Sequence, residues 1–340
     1  MQLNFSIKDV AKTAGVSVAT VSRVLNNSDK VTGETREKVL RAIKTLGYVP
    51  NYSAKSLRTN LSTGIGLVIS HDVDYFITFP YFSEFVRGMG QTLSGTDYHL
   101  VMVMSTDSRD DISSHLRAFE RKVVGGVVLF DVMDNDKRIP ILKKYRVPFV
   151  VVGRPNLDED YIYVDSDNVK GGMIATEHLF KIGCKRVLFI NGPRGHSASR
   201  YRLDGYLKAH KKFGIQIDKK LIIYVKSDSD MKNGYEIVKS SLNRIKFDGI
   251  FVSGDFMATG AMKALKDSGI RVGKDIPVVG FDDVPIASMV TPTLTTVKQP
   301  IKDIGKAAAS TLVDVMDGKN AISKVFDVSL VIRQSTSKEG

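Results

Sequence analysis

Residues 15–26, GVSVATVSRVLN, place one arginine among small and apolar side chains at a spacing suited to the edges of nucleic-acid bases. Val21, Val24 and Leu25 recur at i, i+3 and i+4, the mark of a helix face turned inward. The opposite face then carries Val18, Ala19, Ser22, Arg23 and Asn26. A guanidinium on that face can bond guanine O6 and N7 in bidentate fashion, whereas Val18 and Ala19 offer only apolar contact, for which the thymine methyl is the counterpart. Ser22 and Asn26 are suited to phosphate. Ser17 is a good N-cap, and a capped helix N-terminus carries partial positive charge that also favours phosphate.

Charge supports a polyanion at this end of the chain. Residues 1–60 hold ten basic side chains (Lys8, Lys12, Arg23, Lys30, Arg36, Lys38, Arg41, Lys44, Lys55 and Arg58) against Asp9, Asp29, Glu34 and Glu37. Half of the formal net charge of +12 thus sits in under a fifth of the 340 residues. A basic terminal segment on a more nearly balanced body is the footprint of a nucleic-acid-binding module, although a plain basic surface is an equal reading of charge alone.

The elements that would position this face are readable. Ile7, Val10, Ala11 and Ala14 predict a first helix that Gly15 ends. A second follows from Val18 to about Asn26. Thr32 caps a third, whose stripe is Val39, Ala42, Ile43 and Leu46, and Gly47 and Pro50 stop it. Three short helices with one apolar face predict a small independent bundle. Residues 51–60, NYSAKSLRTN, form a connecting stretch with helical potential too short to hold in water without a partner.

From Thr63 the pattern changes. GIGLVIS (64–70), HLVMVM (99–104), GVVLF (126–130), PFVVV (148–152), RVLFI (186–190), LIIYV (221–225), GIFVS (249–253) and PVVGF (277–281) read as strands, with helical stretches such as 82–94, 168–182, 200–213, 231–244 and 256–268 between most of them. Near-continuous apolar strands alternating with helices predict parallel sheets covered on both faces. The units are too many for one compact sheet, so two doubly wound α/β halves are expected, and clefts between such halves bind small ligands at the carboxyl ends of strands. TPTLTTVKQP (291–300) shows no helical period and suits a return crossover. VFDVSLVIRQ (325–334) is the last strand candidate.

Known catalytic signatures are absent: no H-E-x-x-H, C-x-x-C, P-loop or G-x-S-x-G occurs. No enzyme, cofactor or metal site is expected, and His71 and Asp72 read as loop residues. Cys184, the single cysteine, fits a reducing compartment. No secretory apolar region and no apolar run of membrane length is present, so a cytoplasmic protein is expected.

The stretch SIKDVAKTAGVSVATVSRVLNNSDKVTGETREKVLRAIKTLGYVPNYSAKSL (6–57) resembles the DNA-binding head of the lac repressor/galactose repressor family, through IKDVA, AGVS, TVSRVLN, TREKV, LGYVPN and the Ser56–Leu57 pair. The body is similar to that family's periplasmic-binding-protein-like sensor, so the likeness covers essentially the whole chain. It implies a helix-turn-helix head at 1–50, a hinge helix at 51–62 and a sensor at 63–340. The sensor divides into a first subdomain of about 63–162 and 293–323 and a second of about 163–292 and 324–334. The base-reading positions fall on Val18, Ala19 and Arg23. Leu57 matches the leucine that wedges into the minor groove and bends the duplex, with Ser53, Lys55 and Arg58 beside phosphates or the groove floor. The implied protein is a transcriptional regulator, a repressor that binds a near-palindromic operator as a homodimer. The chain carries no tetramerising heptad tail, and dimer contacts are expected mainly on the first half, on helices such as 82–94.

For the small effector, Arg202 in SASRYRLDGY (197–206) matches the family position whose guanidinium holds the ligand, and Asp282 in FDD (281–283) matches its acidic contact. A carboxylate accepts from vicinal hydroxyls while an arginine donates, which suits a sugar. In FPYF (79–82), Tyr81 and Phe82 match cleft-facing positions, where aromatics stack on a sugar face. Phe256 and Phe281 are further candidates of that kind. Two departures stand out: Gly254 where some sugar-binding relatives have asparagine, and Arg154 in GRPN (153–156) where some have an acid. A sugar is favoured. Nucleosides, purines, phosphorylated sugars and a protein corepressor stay open, and a stand-alone sugar-binding protein is the alternative that the basic head disfavours.

Overall fold

The computed structural model describes residues 5–25, 28, 30–48, 62–69, 79–104, 112–158, 160–226 and 230–337. Asn26, Ser53, Lys55, Leu57, Arg58, His71 and Asp72 lie outside the described residues. The chain separates into two compact units, Met1–Leu61 and Ser62–Gly340.

The first unit holds α1 (Ile7–Ala14), α2 (Val18–Leu25) and α3 (Gly33–Leu46). Each start is fixed by a side chain. The Ser6 amide and hydroxyl both donate to Asp9 Oδ2 at 2.7 Å, Ser17 Oγ accepts from the Thr20 amide at 3.1 Å, and Thr32 Oγ1 accepts from the Thr35 amide at 3.4 Å. Gly15 and Gly47 end α1 and α3 in the left-handed conformation (φ 65° and 59°), which L-residues disfavour. Val10, Ala11, Val21, Val24, Val39 and Ala42 form the core.

In the second unit, β1 (Gly64–Ile69), β2 (His99–Met104), β3 (Gly126–Leu129), β4 (Phe149–Val152), β5 (Tyr163–Ser166) and β11 (Lys324–Phe326) make one parallel sheet in the order β11-β5-β4-β3-β1-β2. A second sheet has the order β12-β10-β9-β8-β6-β7, from β6 (Val187–Asn191), β7 (Ile222–Tyr224), β8 (Gly249–Val252), β9 (Val278–Asp282), β10 (Thr295–Lys298) and β12 (Ser329–Val331). It is parallel except for β12, which runs antiparallel to β10. The intervening helices are α4 (Pro80–Leu93), α5 (Ser113–Glu120), α6 (Arg138–Lys144), α7 (Asn168–Lys181), α8 (Ser197–Phe213), α9 (Met231–Leu242), α10 (Asp255–Lys266), α11 (Ile286–Met289) and α12 (Ile301–Met316). Central strands are Val- and Ile-rich because both faces are covered. Each sheet separates two apolar clusters.

Three sequence expectations need correction. Residues 163–166 pair in the first sheet, so the chain leaves that subdomain after β5 rather than before it. TPTLTTVKQP contains β10, a buried strand of the second sheet, although 293–323 was expected in the first subdomain; only its later part, α12, packs there. The threonines hide the strand, because Thr295 and Thr296 are fully buried yet bond through their hydroxyls to the Arg333 carbonyl and to Asp255. VFDVSLVIRQ is two short strands, the first of which pairs with β5.

The chain therefore passes between the sheets three times, after β5, β10 and β11. The passages bond to one another: Ser166 Oγ to Gln299 Oε1, and the Asp167 amide to the Phe326 carbonyl at 2.8 Å. Three helix pairs cross through reciprocal glycines. A Cβ on Gly172 (α7) would lie 2.2 Å from the Arg202 carbonyl oxygen, and one on Gly205 (α8) 2.1 Å from that of Val169. Gly88 and Gly305 join α4 to α12 in the same way, and Gly234 and Gly260 join α9 to α10.

Candidate functional site

On the helical unit, Val18, Ala19 and Arg23 share the exposed face of α2 next to its capped N-terminus. Val18 is 39% exposed. Val21 and Val24 are buried beneath them, as the periodicity requires. Ser22 is half-buried, and Ser17 is exposed with its hydroxyl 2.9 Å from that of Thr20.

On the second unit, a cleft with about 930 Å³ of atom-free space, mouth included, opens between the carboxyl edges of the two sheets. The first sheet contributes Phe79, Tyr81, Phe130 and Val152; the second contributes Arg202, Ser253, Gly254 and Asp282. Arg202 is fixed by two hydrogen bonds and an aromatic ring. Its Nε donates to Asn168 Oδ1 at 2.8 Å and its Nη1 to the Ser253 carbonyl at 2.5 Å. Its Nη2 lies 3.9 Å from Asp282 Oδ1, and its plane covers the Phe281 ring at 3.8 Å. The fixing follows from α7, whose Gly171 lets Phe281 approach and whose Gly172 lets the α8 backbone approach.

Asp282 is 3% exposed, at the end of β9 with φ 116°, a conformation rare for any residue but glycine. Strain of this kind concentrates at ligand sites. Gln299 Nε2 donates to its Oδ1 at 2.6 Å, and among the described residues Oδ2 accepts no hydrogen bond. Burial lifts its carboxyl to about 6, against the pull of Arg202. Burial lowers Arg202 and raises Tyr81, whose phenol is influenced by Asp282 and Asp165. Behind them Asp255 is pushed up by burial and by Asp282, while its Oδ2 accepts from the Val284 amide at 3.0 Å.

One lip of the cleft is tied across. His196 Nε2 lies 2.5 Å from Asp131 Oδ1, and Arg200 bonds both oxygens of Asp134 at 2.8 and 3.1 Å. The Asp134 amide donates to the Gly195 carbonyl at 2.7 Å, and the Tyr201 ring is stacked between Arg154 and Arg200.

Of the effector residues expected from sequence, Arg202, Asp282 and Tyr81 line the cleft. Phe82 does not: it is 4% exposed in the core of the first subdomain, edge-on to Phe130, because α4 turns it inward. Phe281 is fully buried beneath Arg202, whose guanidinium covers its ring. Phe256 lies on α10, away from the lining. Arg154 bonds Asp165 Oδ2 at 2.9 Å and stacks on Tyr201, also outside the lining. Sequence reasoning missed Asp131, Asp165, Asn168, His196, Ser253 and Gln299. Several lie at strand ends, so a search of every carboxyl end would have found them.

Residues 6–51 match the family model for bacterial regulatory proteins of the lacI family, and residues 176–336 match that for the periplasmic binding protein-like domain. Over 337 residues the chain is 34% identical to the HTH-type transcriptional regulator CelR of Thermobifida fusca, covering 97% of this chain and 98% of that one. The chain belongs to the LacI family. Another LacI-family relative is the ribose operon repressor of Halalkalibacterium halodurans, 34% identical over 334 residues and 97% of each chain. Among solved structures, the lac repressor dimer bound to operator and an anti-inducer matches with TM-score 0.82, 28% identity and 98% and 99% of the two chains. The CelR–cellobiose complex matches with TM-score 0.73, 34% identity and 98% and 100% coverage. This LacI-family chain is a DNA-binding transcriptional regulator, with a helix-turn-helix head and a periplasmic-binding-protein-like body of two parallel-sheet subdomains. No helix among the described residues is long and apolar enough to cross a membrane.

Proposed function

We propose that the chain is a cytoplasmic repressor that binds a near-palindromic operator as a homodimer and is controlled by a sugar in the cleft. The observation that carries the DNA half is the exposed row of Val18, Ala19 and Arg23 beside a capped helix N-terminus. Arg23 reads guanine, Val18 and Ala19 meet thymine methyls, and Ser17 and Ser22 approach phosphates, with Asn26, Ser53, Lys55 and Arg58 as further backbone contacts. Leu57 wedges into the minor groove at the operator centre. The relative seen on operator DNA is a dimer, which supports the same assembly here.

The sugar half rests on Arg202 and Asp282, a donor and an acceptor held on one wall opposite an aromatic one. A relative of similar length is seen with cellobiose, and another is named for ribose. Ligand between the subdomains would change their angle, and with it the fit of the paired heads to two half-sites. Gel-shift titration of the full chain against palindromic duplexes, with and without cellobiose, ribose or glucose, tests both halves. Failure of every duplex to bind ends the operator reading. Operator binding that no sugar alters ends only the effector reading.

A further inference from the structure

We infer that the cleft selects a neutral polyhydroxyl ligand and rejects its phosphorylated form; this deepens, and rests on, the sugar reading above. The chain as a whole is strongly basic, at +12, but the cleft is not. Among the described residues, its lining holds the carboxylates of Asp131, Asp165 and Asp282 against one guanidinium, Arg202. His196 also lines it, already paired with Asp131 at 2.5 Å.

A phosphate needs donors that are free to turn toward it, and among the described lining residues the one guanidinium that could supply them is Arg202, whose Nη2 stands beside the Asp282 carboxylate. Its Nε and Nη1 are held by Asn168 and the Ser253 carbonyl, and its face by Phe281. The neighbouring arginines are equally committed and lie outside the lining: Arg154 to Asp165, and Arg200 to Asp134 and the Arg154 carbonyl. Helix N-termini attract anions, and α4, α7, α8 and α10 all start at lining residues, although α4 opens on Pro80, which has no amide to offer. Two of those starts already hold an acid side chain: Asp167 caps α7, and Asp255 sits in the first turn of α10. On α8, the Ser197 amide is spent on the Val132 carbonyl at 3.2 Å.

Acceptors, by contrast, are open. Asp282 Oδ2 has no hydrogen-bond donor among the described residues, and the space beside it is kept clear by Gly254. A Cβ there would stand 3.8 Å from that oxygen and meet nothing closer. An incoming hydroxyl brings the donor that Oδ2 lacks. Opposite, Phe79, Tyr81 and Phe130 offer an apolar wall to a ring face. A neutral sugar answers both walls, whereas a phosphate dianion would be desolvated where the described lining holds more carboxylates than cations.

The test uses matched pairs on the full chain: glucose and glucose 6-phosphate, ribose and ribose 5-phosphate, cellobiose and its 6-phosphate, with affinity measured by calorimetry at pH 7.5. In each pair that binds, the phosphorylated member should bind about a hundredfold more weakly or worse, the order expected for a dianion brought among three carboxylates and one guanidinium. Asp131→Asn should narrow that ratio about tenfold. A phosphorylated sugar that binds as well as its parent overturns the inference and leaves the sugar reading standing. A ratio unmoved by Asp131→Asn overturns its electrostatic basis. If no member of any pair binds, the sugar reading fails and the inference fails with it.

Discussion

Replacing Gly172 by alanine should damage both stability and the ligand site, and the structure sets the size of the effect. The new Cβ would lie 2.2 Å from the Arg202 carbonyl oxygen, and ordinary contact begins at 3.4 Å. The α8 backbone must therefore recede by about 1.2 Å, and its neighbours on α7 leave little slack, because Gly205 meets Val169 as tightly from the other side. Overpacking of this kind costs about 1–3 kcal/mol. The same shift would stretch the 2.8 Å bond from Arg202 Nε to Asn168 past hydrogen-bonding range, adding roughly 1 kcal/mol. For a unit of this size the sum corresponds to a fall in Tm of about 4–12 °C. Gly90→Ala on α4 is the matched control, since a Cβ there meets nothing within 4 Å, and it should stabilise by about 0.5–1 kcal/mol. Urea and thermal unfolding of the two variants read both signs. If Gly172→Ala unfolds within about 0.5 kcal/mol of the parent, the argument that α7 and α8 touch through their backbones is refuted.

Other expectations concern the two sites. Asp282, lifted to about 6 from an unfolded value of 3.8, holds its proton more tightly when folded. Its contribution to stability is therefore present at low pH and lost as pH rises through 6, whereas sugar affinity, which needs the carboxylate, should weaken below pH 6. Asp282→Asn should flatten both trends, and a binding profile that keeps its shape in that variant argues against Asp282 as the acceptor. Arg23→Ala should relax preference at one symmetric pair of operator positions, at about 1–3 kcal/mol per contact, as read by selection from randomised duplexes. An unchanged preference removes Arg23 as a base reader. Gln299→Met removes the bonds to Asp282 and Ser166 while keeping similar bulk. It should leave ligand binding measurable but reduce the ligand's effect on operator affinity, and undiminished coupling in gel-shift titrations would count against Gln299 as the link.

Much of the architecture was legible because burial on both faces writes a simple pattern. Strands such as GVVL and GIFV are apolar throughout and could hardly be read otherwise. The misreadings fall where polar residues are buried and satisfied: YVDS and TTVK are strands whose Asp165, Ser166, Thr295 and Thr296 find partners distant in sequence. On the helical unit, periodicity alone placed Val18, Ala19 and Arg23 outward. In the cleft, sequence could name Arg202 and Asp282 but not what holds them. Asn168, Gln299 and the ring of Phe281 come from three separate segments, and only the fold brings them together. Phe82 shows the converse, since adjacency to Tyr81 suggested a shared wall, yet the helical turn sends one ring to the cleft and the other to the core.

The three passages between the sheets have a mechanical consequence. Two bodies on a single tether can swing and twist about it freely. With three tethers side by side, cross-bonded at Ser166–Gln299 and Asp167–Phe326, twisting would stretch one passage against another, while folding shut along their common line strains none. The cross-bonded passages thus oppose twisting more than they oppose opening and closing of the cleft. Gln299 sits on that line and also grips Asp282, so the passages between the sheets are tied to one carboxylate of the cleft. A ligand that closed the cleft would act chiefly along that same line.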